Sequence, residues 1–254
     1  MSAYDADALE ARDPAFIRRL LPLANLFNRR YVRLDVAGTE NVPRTPCLYV
    51  GNHNGGIMGP DVVCTLGTLW NELGVDFPLH ALAHDFAMRQ LKPFGALVQK
   101  GGGIAATHAN AERVFARGGQ VLVYPGGELD AFRRHDRRHD VVLLPRTGFA
   151  RLALKTGVPV VPIVASGAHE SAIILAEGKR IARRLPRRLR IVTFPIALAL
   201  PWGIVAGPWF PYLPLPWKIR LRILPPMRPA GDEDALAFAT RVEATMRTTM
   251  QALA

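Results

Sequence analysis

The sequence predicts an α/β fold: a largely parallel central sheet flanked by helices. Three observations carry that expectation. Short apolar runs bounded by glycine or proline recur between residues 32 and 165, and runs of this kind suit strands covered on both faces. Stretches of helical period separate them, and strand–helix alternation at this spacing builds parallel sheets. Two glycine-rich segments, GNHNGGIMG at 51–59 and PGG at 125–127, each follow an apolar run. They would lie at carboxyl ends of strands, where such sheets collect ligands.

Taken in order, residues 14–34 (PAFIRRLLPLANLFNRRYVRL) set an apolar stripe among five arginines. Pro14 suits a first helical turn, and Pro22 is expected to kink or divide the helix. The stripe fits a lipid interface and equally fits packing on the protein's own sheet with a solvated basic edge. Val32–Val36 and Cys47–Val50 read as strands, and residues 61–73 as a helix with Asp61 at or near its N-cap. His80–Ala83 reads as a strand, Leu91–Leu97 as a turn and Leu97–Gln99 as a further strand. Thr107–Arg117 is an amphipathic helix stopped by Gly118-Gly119. Gln120–Tyr124 and Pro159–Ala165 are core strands, with a helix over 148–156 ending at Gly157 between them.

The last third differs in character. KRIARRLPRRLR (179–190) carries seven basic residues and no acid, and residues 191–217 then run for 27 positions without a charge. That length could span a bilayer, but six prolines argue against one continuous helix. Trp202, Trp209, Tyr212 and Trp217 are of the types favoured at a membrane–water boundary. The expectation is a broken, proline-rich apolar arm in contact with a membrane beside the basic run; the alternative is an arm wrapped over the domain core. Residues 232–251 close the chain as an amphipathic helix with Asp232-Glu233-Asp234 at its positive end. The division expected is an N-terminal amphipathic membrane-contact segment over 1–31 and an α/β domain over 32–254 that includes the 191–217 arm.

A formal charge of +11 accompanies an apolar fraction of 49%, which excludes a disordered chain and suits work on anionic membrane lipid. Nucleic acid is not an expected partner, because the basic residues interleave with Leu, Ile and Pro rather than with stacking aromatics. Cys47 and Cys64 sit in apolar surroundings and read as buried, reduced thiols. The start, MSAYDADALEARDP, is acidic and lacks an apolar signal core; it implies peripheral or monotopic attachment to the cytoplasmic face of a membrane. No pattern specifies an oligomeric state.

His53 is the candidate for chemistry. A neutral imidazole takes a proton from an alcohol at neutral pH, and a carboxylate on its other nitrogen fixes tautomer and orientation. Asp61, at the start of a helix, is the candidate partner, while Gly55 and Gly56 admit a substrate close to the backbone and offer N–H groups to an oxyanion. Ser2, Ser166 and Ser171 lack a nucleophile elbow. His80/His84 and His135/His139 have i, i+4 spacing without the HExxH glutamate, so no metal is expected. Lys100-Gly101-Gly102-Gly103 lacks the order of a phosphate loop.

Over residues 32–225 these pieces resemble the glycerolipid acyltransferases, the PlsC-type lysophospholipid acyltransferase family. VGNHNGGIMGPD resembles the first block, FGALVQKGGG the second, LVYPGGELDAF the third and TGVPVVPIVASG the fourth, in the family's order; LPLPWKIRLRILPPM resembles its closing strand region. Two departures stand out. Seven residues separate His53 from Asp61 where four are usual, and Met58 occupies the usual acidic position. The third block reads Pro125-Gly126-Gly127-Glu128-Leu129 instead of P-E-G-T-R, closer to the type 2 diacylglycerol acyltransferase branch, and Leu129 replaces the arginine expected to hold an acceptor phosphate. The resemblance implies transfer of an acyl group from an acyl-CoA or acyl carrier protein thioester to a hydroxyl of a lysophospholipid or other glycerolipid, without a metal or bound cofactor. It implies His53 as general base with Asp61 orienting it, and substrate contacts from Asn54, Gly55, Gly56, Gly126 and Gly127. Lys100, Arg133 and Arg146 would meet anionic groups, and Glu128 would hydrogen-bond the acceptor. The rival reading is a basic membrane-surface lipid-binding protein without catalysis.

Overall fold

Seven strands form the main sheet of the chain, in the order β1-β10-β6-β2-β5-β3-β4. They are β1 (Asp35–Ala37), β2 (Leu48–Gly51), β3 (Leu79–Ala83), β4 (Gly103–Ala105), β5 (Gln120–Val123), β6 (Val160–Ser166) and β10 (Arg220–Ile223). Strands β6, β2, β5, β3 and β4 run parallel; β10 runs against β6, and β1 runs with β10. The structure, a computed structural model, describes residues 4–56, 59–84, 88–89, 92–185, 192–207 and 212–254. Met58, Leu91, positions 186–190 of the basic run, and positions 191 and 208–211 of the arm, with Trp209 among them, lie outside the described residues.

Side chains alternate across the sheet as a period of two requires. Leu48, Val50, Val121, Val160 and Val164 face one core, built with α4 (His108–Ala116), α6 (Gly148–Thr156) and α8 (Ala235–Leu253). Tyr49, Leu122, Val161, Ile163 and Leu221 face the other, under α1 (Pro14–Leu26) and α2 (Pro60–Leu73). Helices α1, α4 and α8 begin on caps their sequence supplies: Asp13 accepts from the N–H groups of Ala15 and Phe16, Thr107 from Asn110, and Asp234 from Ala237. Cys47 and Cys64 are buried and free, and burial pushes the Cys47 thiol up to about 12.

Four expectations change. Pro22 lies inside α1 without ending it, and the helix continues into a π-helical turn at Phe27–Tyr31. Ile17 of α1 is fully buried on the sheet, so this helix packs on the domain's core, although Leu23 and Leu26 stay exposed. The segment read as a turn and a strand over 91–99 is instead α3 (Lys92–Lys100), and the strand, β4, comes after it. Pro93 fits this helix because it sits in the first turn, where its missing N–H costs nothing. Gly103 then lets β4 pack against α3, since a side chain there would run into Val98.

The fourth change concerns the arm. Its described part forms regular structure, a hairpin of β8 (Ile196–Ala199) and β9 (Gly203–Ala206) paired with β7 (Ile173–Ala176) in a separate antiparallel sheet. IALAL has the period of a half-buried strand. Ala197, Ala199 and Val205 turn inward against Ala172, Ile174 and Phe132, while Leu198, Leu200 and Ile204 turn outward. Ile204 is 73% and Trp202 at the hairpin tip 58% exposed. No helix among the described residues is long and apolar enough to cross a membrane.

Phe238 is the aromatic anchor of α8 and is fully buried against the first core. Phe238→Ala should destabilise the fold by about 3–5 kcal/mol, read as a lowered midpoint in chemical denaturation.

Candidate active site

Val50 of β2 lies opposite Val123 of the adjacent parallel strand β5, so the loops that follow leave the sheet side by side. One carries His53 and the other Pro125-Gly126-Gly127. The ring of Tyr124, the first residue past β5, lies 4.9 Å from the His53 ring. This is the carboxyl edge of the parallel strands, where crevices form.

His53 and Asp61 are brought together. Pro60 opens α2 and Asp61 follows in its first turn, where the helix dipole favours a carboxylate. Gly59 turns the chain back so that Asp61 Oδ2 accepts from His53 Nδ1 at 3.0 Å and from the Asn54 N–H at 2.9 Å. Nδ1 therefore carries the proton, and Nε2 has no hydrogen bond among the described residues. Asp61 is fully buried, while the His53 side chain keeps 23% of its surface in the open. Burial pulls the imidazole pKa down, but the Asp61 and Asp130 carboxylates outweigh it and hold the value above 6.5. Beneath the ring, Asp61 Oδ1, the Thr65 hydroxyl and the Tyr124 hydroxyl are buried without a well-aligned hydrogen bond. Burial, then the Asp61 charge, pushes the Tyr124 phenol far above its usual range, so it stays protonated.

The centre of the site is a pair that sequence reasoning did not assemble. Asp130, in the short helix α5 (Gly127–Ala131), is fully buried. Its Oδ2 accepts the His53 backbone N–H at 2.5 Å, and its Oδ1 accepts from Arg133 at 2.9 Å and the Val142 N–H at 3.3 Å. Arg133 is 1% exposed. It donates to the carbonyls of His53 (3.0 Å), Asp130 (2.6 Å), Arg137 (2.9 Å) and Arg138 (2.8 Å), and to the Asn54 amide oxygen. Both loops are thus held through one guanidinium. Burial raises the Asp130 carboxyl to about 6 against the opposing pull of Arg133. His169 completes the layer as a neutral imidazole: burial and Arg133 depress its pKa, Nε2 donates to the Arg133 carbonyl at 2.8 Å, and Nδ1 faces the Gly55 N–H at 3.5 Å. The i, i+3 spacing of Asp130 and Arg133 was the one signal in the sequence that pointed to this pair.

Several expected substrate contacts are otherwise engaged. Arg133 has no N–H left for an anion, and the Asn54 side chain is committed to Arg133 and to the Ala165 carbonyl. Glu128 accepts from the N–H groups of Val192 (3.0 Å) and Thr193 (3.4 Å), so it secures the start of the arm. Lys100 precedes β4, at the far end of the sheet from the strand-end loops, and β4 is separated from β2 by β5 and β3. Arg146 does lie beside the site, donating to the Pro125 and Gly126 carbonyls at 3.1 and 3.0 Å with the rest of its guanidinium exposed. The Gly127 N–H turns back to Tyr124, whereas those of Gly56 and Gly126 have no acceptor among the described residues. Both glycines are required by crowding. A side chain at Gly56 would strike Tyr212 and Phe132, and one at Gly126 would strike the Val142 carbonyl and Asp130. Tyr212 also donates to the Gly55 carbonyl, so the arm packs onto the histidine loop. No group of three His, Cys, Asp or Glu among the described residues could hold a metal.

The fold is that of a solved acyltransferase: the 1-acyl-sn-glycerophosphate (LPA) acyltransferase PlsC from Thermotoga maritima superposes with a TM-score of 0.58 at 18% identity, over 93% of this chain and 81% of that one. The sequence model of the diacylglycerol acyltransferases matches residues 4–216, and the chain belongs to that family. An uncharacterized protein of Mycobacterium tuberculosis (strain H37Rv) is 29% identical over 208 residues, 82% of this chain and 56% of that protein. Diacylglycerol O-acyltransferase 2 of Homo sapiens is 28% identical over 160 residues, 59% of this chain and 40% of that enzyme. The chain thus spans about half the length of the curated relatives it matches.

Removing the buried carboxylate leaves Arg133 charged and unpaired, so Asp130→Ala should cost about 3–5 kcal/mol. A thermal melt at pH 7 against wild type measures this.

Proposed function

We propose that this chain transfers an acyl group from a thioester, acyl-CoA or an acyl carrier protein, to a hydroxyl of a lysophospholipid or other glycerolipid. Membership of the diacylglycerol acyltransferase family supports the reaction class. One observation carries the mechanism: a half-open imidazole whose Nδ1–H is held at 3.0 Å by a buried carboxylate and whose Nε2 is unengaged. Such a ring accepts a proton from an alcohol. In the proposed step, Nε2 of His53 takes the hydroxyl proton as the oxygen attacks the thioester carbonyl. The tetrahedral oxyanion is met by the Gly56 and Gly126 N–H groups, the thiolate leaves, and His53 returns the proton to it. Asp61 stabilises the transient imidazolium. Arg146 is the cation left to meet an anionic group of donor or acceptor, and Leu129 favours an acceptor less charged at that point than a phosphomonoester. Deeper in, Asn54, Gly55, Gly127 and Glu128 shape the site without contacting substrate.

We assign the outer face of the β7–β8–β9 sheet to the membrane. Leu198, Leu200, Trp202 and Ile204 are exposed there, and Lys179, Arg180, Arg183 and Arg184 follow β7 close by. An apolar face flanked by cations suits an anionic bilayer surface, and it would place the histidine loop, which Tyr212 touches, next to its lipid substrate.

Purified protein supplied with acyl-CoA and a panel of lysolipids and diacylglycerol should yield an acylated product by mass spectrometry, and His53→Ala should lower the rate by roughly 10²–10⁴-fold. Because the base works only when neutral and its pKa lies above 6.5, kcat/KM should fall as pH drops through a midpoint above 6.5. Equal rates for wild type and His53→Ala would return the chain to a non-catalytic lipid-binding role. Trp202→Ser with Ile204→Ser should weaken sedimentation with phosphatidylglycerol vesicles at least tenfold while leaving the melting temperature unchanged; unaltered sedimentation would remove the arm from the membrane.

A further inference from the structure

A cleft of about 630 Å3 has neither His53 nor Arg133 in its lining. Arg138 joins the two regions: its carbonyl accepts from Arg133 and its side chain lines the cleft. Four cations face it, Arg33, Arg138, Lys218 and Arg220, with the Glu170 carboxylate and the terminal residue Ala254 also in its lining. Two of the four are offset. Arg138 lies 3.7 Å from Glu170, and Lys218 lies 3.6 Å from Asp35. Arg33 donates only to the neutral Pro216 carbonyl at 2.9 Å, and Arg220 has no hydrogen bond or ion pair among the described residues. Two guanidinium charges therefore remain without a carboxylate, beside the half-exposed indole of Trp217 and the apolar side chains of Ile173 and Leu215.

Arg33 is also the one described residue other than glycine with positive φ, at 47°. A side chain disfavours that conformation, and such positions concentrate at functional sites. Glycine would suit the backbone better, so the arginine is there for its side chain. Two guanidiniums lining one cleft match the dianion of a phosphate monoester by charge, each able to bind it through two N–H groups, and an indole in the same lining suits a planar or apolar body carrying that phosphate.

The geometry points to a second binding site here, for a phosphate monoester attached to an aromatic or apolar group. Two sources have that chemistry: the nucleotide end of a coenzyme A thioester, and the headgroup of a phosphatidic acid. Assigning the first as the donor's handle rests on the acyl-transfer reading; the phosphate site itself does not.

Calorimetric titration of the intact protein with adenosine 3′,5′-bisphosphate, and separately with the soluble lipid dihexanoyl phosphatidic acid, tests this without turnover. Arg33→Gly and Arg220→Gln should each weaken binding about tenfold or more, while His53→Ala should leave it unchanged. Arg33→Gly relieves the positive φ, so its melting temperature should not fall and lost affinity is not lost folding. Nucleotide binding alone identifies the donor's handle, and lipid binding alone a headgroup site; either supports the proposal. Failure of both ligands to bind, or equal binding by wild type and both arginine variants, would overturn it. Product formation in the His53 assay is read independently, so either idea can fail alone.

Discussion

The buried ion pair of Asp130 and Arg133 holds the rest of the site in place. Glycine makes both strand-end loops pliable, and nothing in the sheet itself fixes where they lie beyond Gly51 and Val123. Arg133 supplies that constraint by donating to carbonyls in both loops, and Asp130 does so by accepting the His53 N–H. Burying either charge alone would cost several kcal/mol, and the pair is tolerated because each partner is saturated with hydrogen bonds. Asp130, at about 6 when folded, prefers its proton more than it does unfolded. The stabilisation this gives is complete below the ordinary carboxylate range and is lost as pH rises through 6. At neutral pH the fold therefore carries an ionised carboxylate at some cost, and Arg133 offsets it.

The same carboxylate acts on the imidazole. His53 stands between Asp61, which holds its Nδ1, and Asp130, which holds its backbone, and both favour the imidazolium. A stronger base results, with a smaller neutral fraction at low pH, and general-base catalysis is best served when that balance falls near the working pH. Arg133 moderates the effect through its own charge. Position and basicity of one ring are thus set by the same two buried residues.

The sequence disclosed the parallel sheet because its core strands are continuous apolar runs, and it made His53 and Asp61 candidates that the fold brings together, because a histidine among glycines and an acid opening a helix are local signals. What it hid was non-local. Arg133 sits in a basic stretch that reads as solvated surface, and only the approach of Asn54, Asp130 and the 137–138 turn makes it a buried clamp. Lys100 looked like a site residue by position in a block, yet it ends α3, before β4 and away from the strand-end loops. Over 92–100 a helix stands where a turn and a strand were expected, and Pro93 is accommodated in its first turn. In the arm, the period of two in IALAL is a local strand signal, whereas the pairing of that strand with β7, across the basic run, is non-local.

One consequence of the sheet order concerns the making of the protein. β1 has no partner in the sheet except β10, nearly two hundred residues later, and β10 alone links it to β6. During synthesis the first strand must wait, unpaired, until the last third of the chain leaves the ribosome. The apolar hairpin emerges ahead of β10, before the sheet can close, so its greasy face meets water or a bilayer first. Delivery to a membrane at that moment would shield the nascent chain from aggregation as well as station the finished protein.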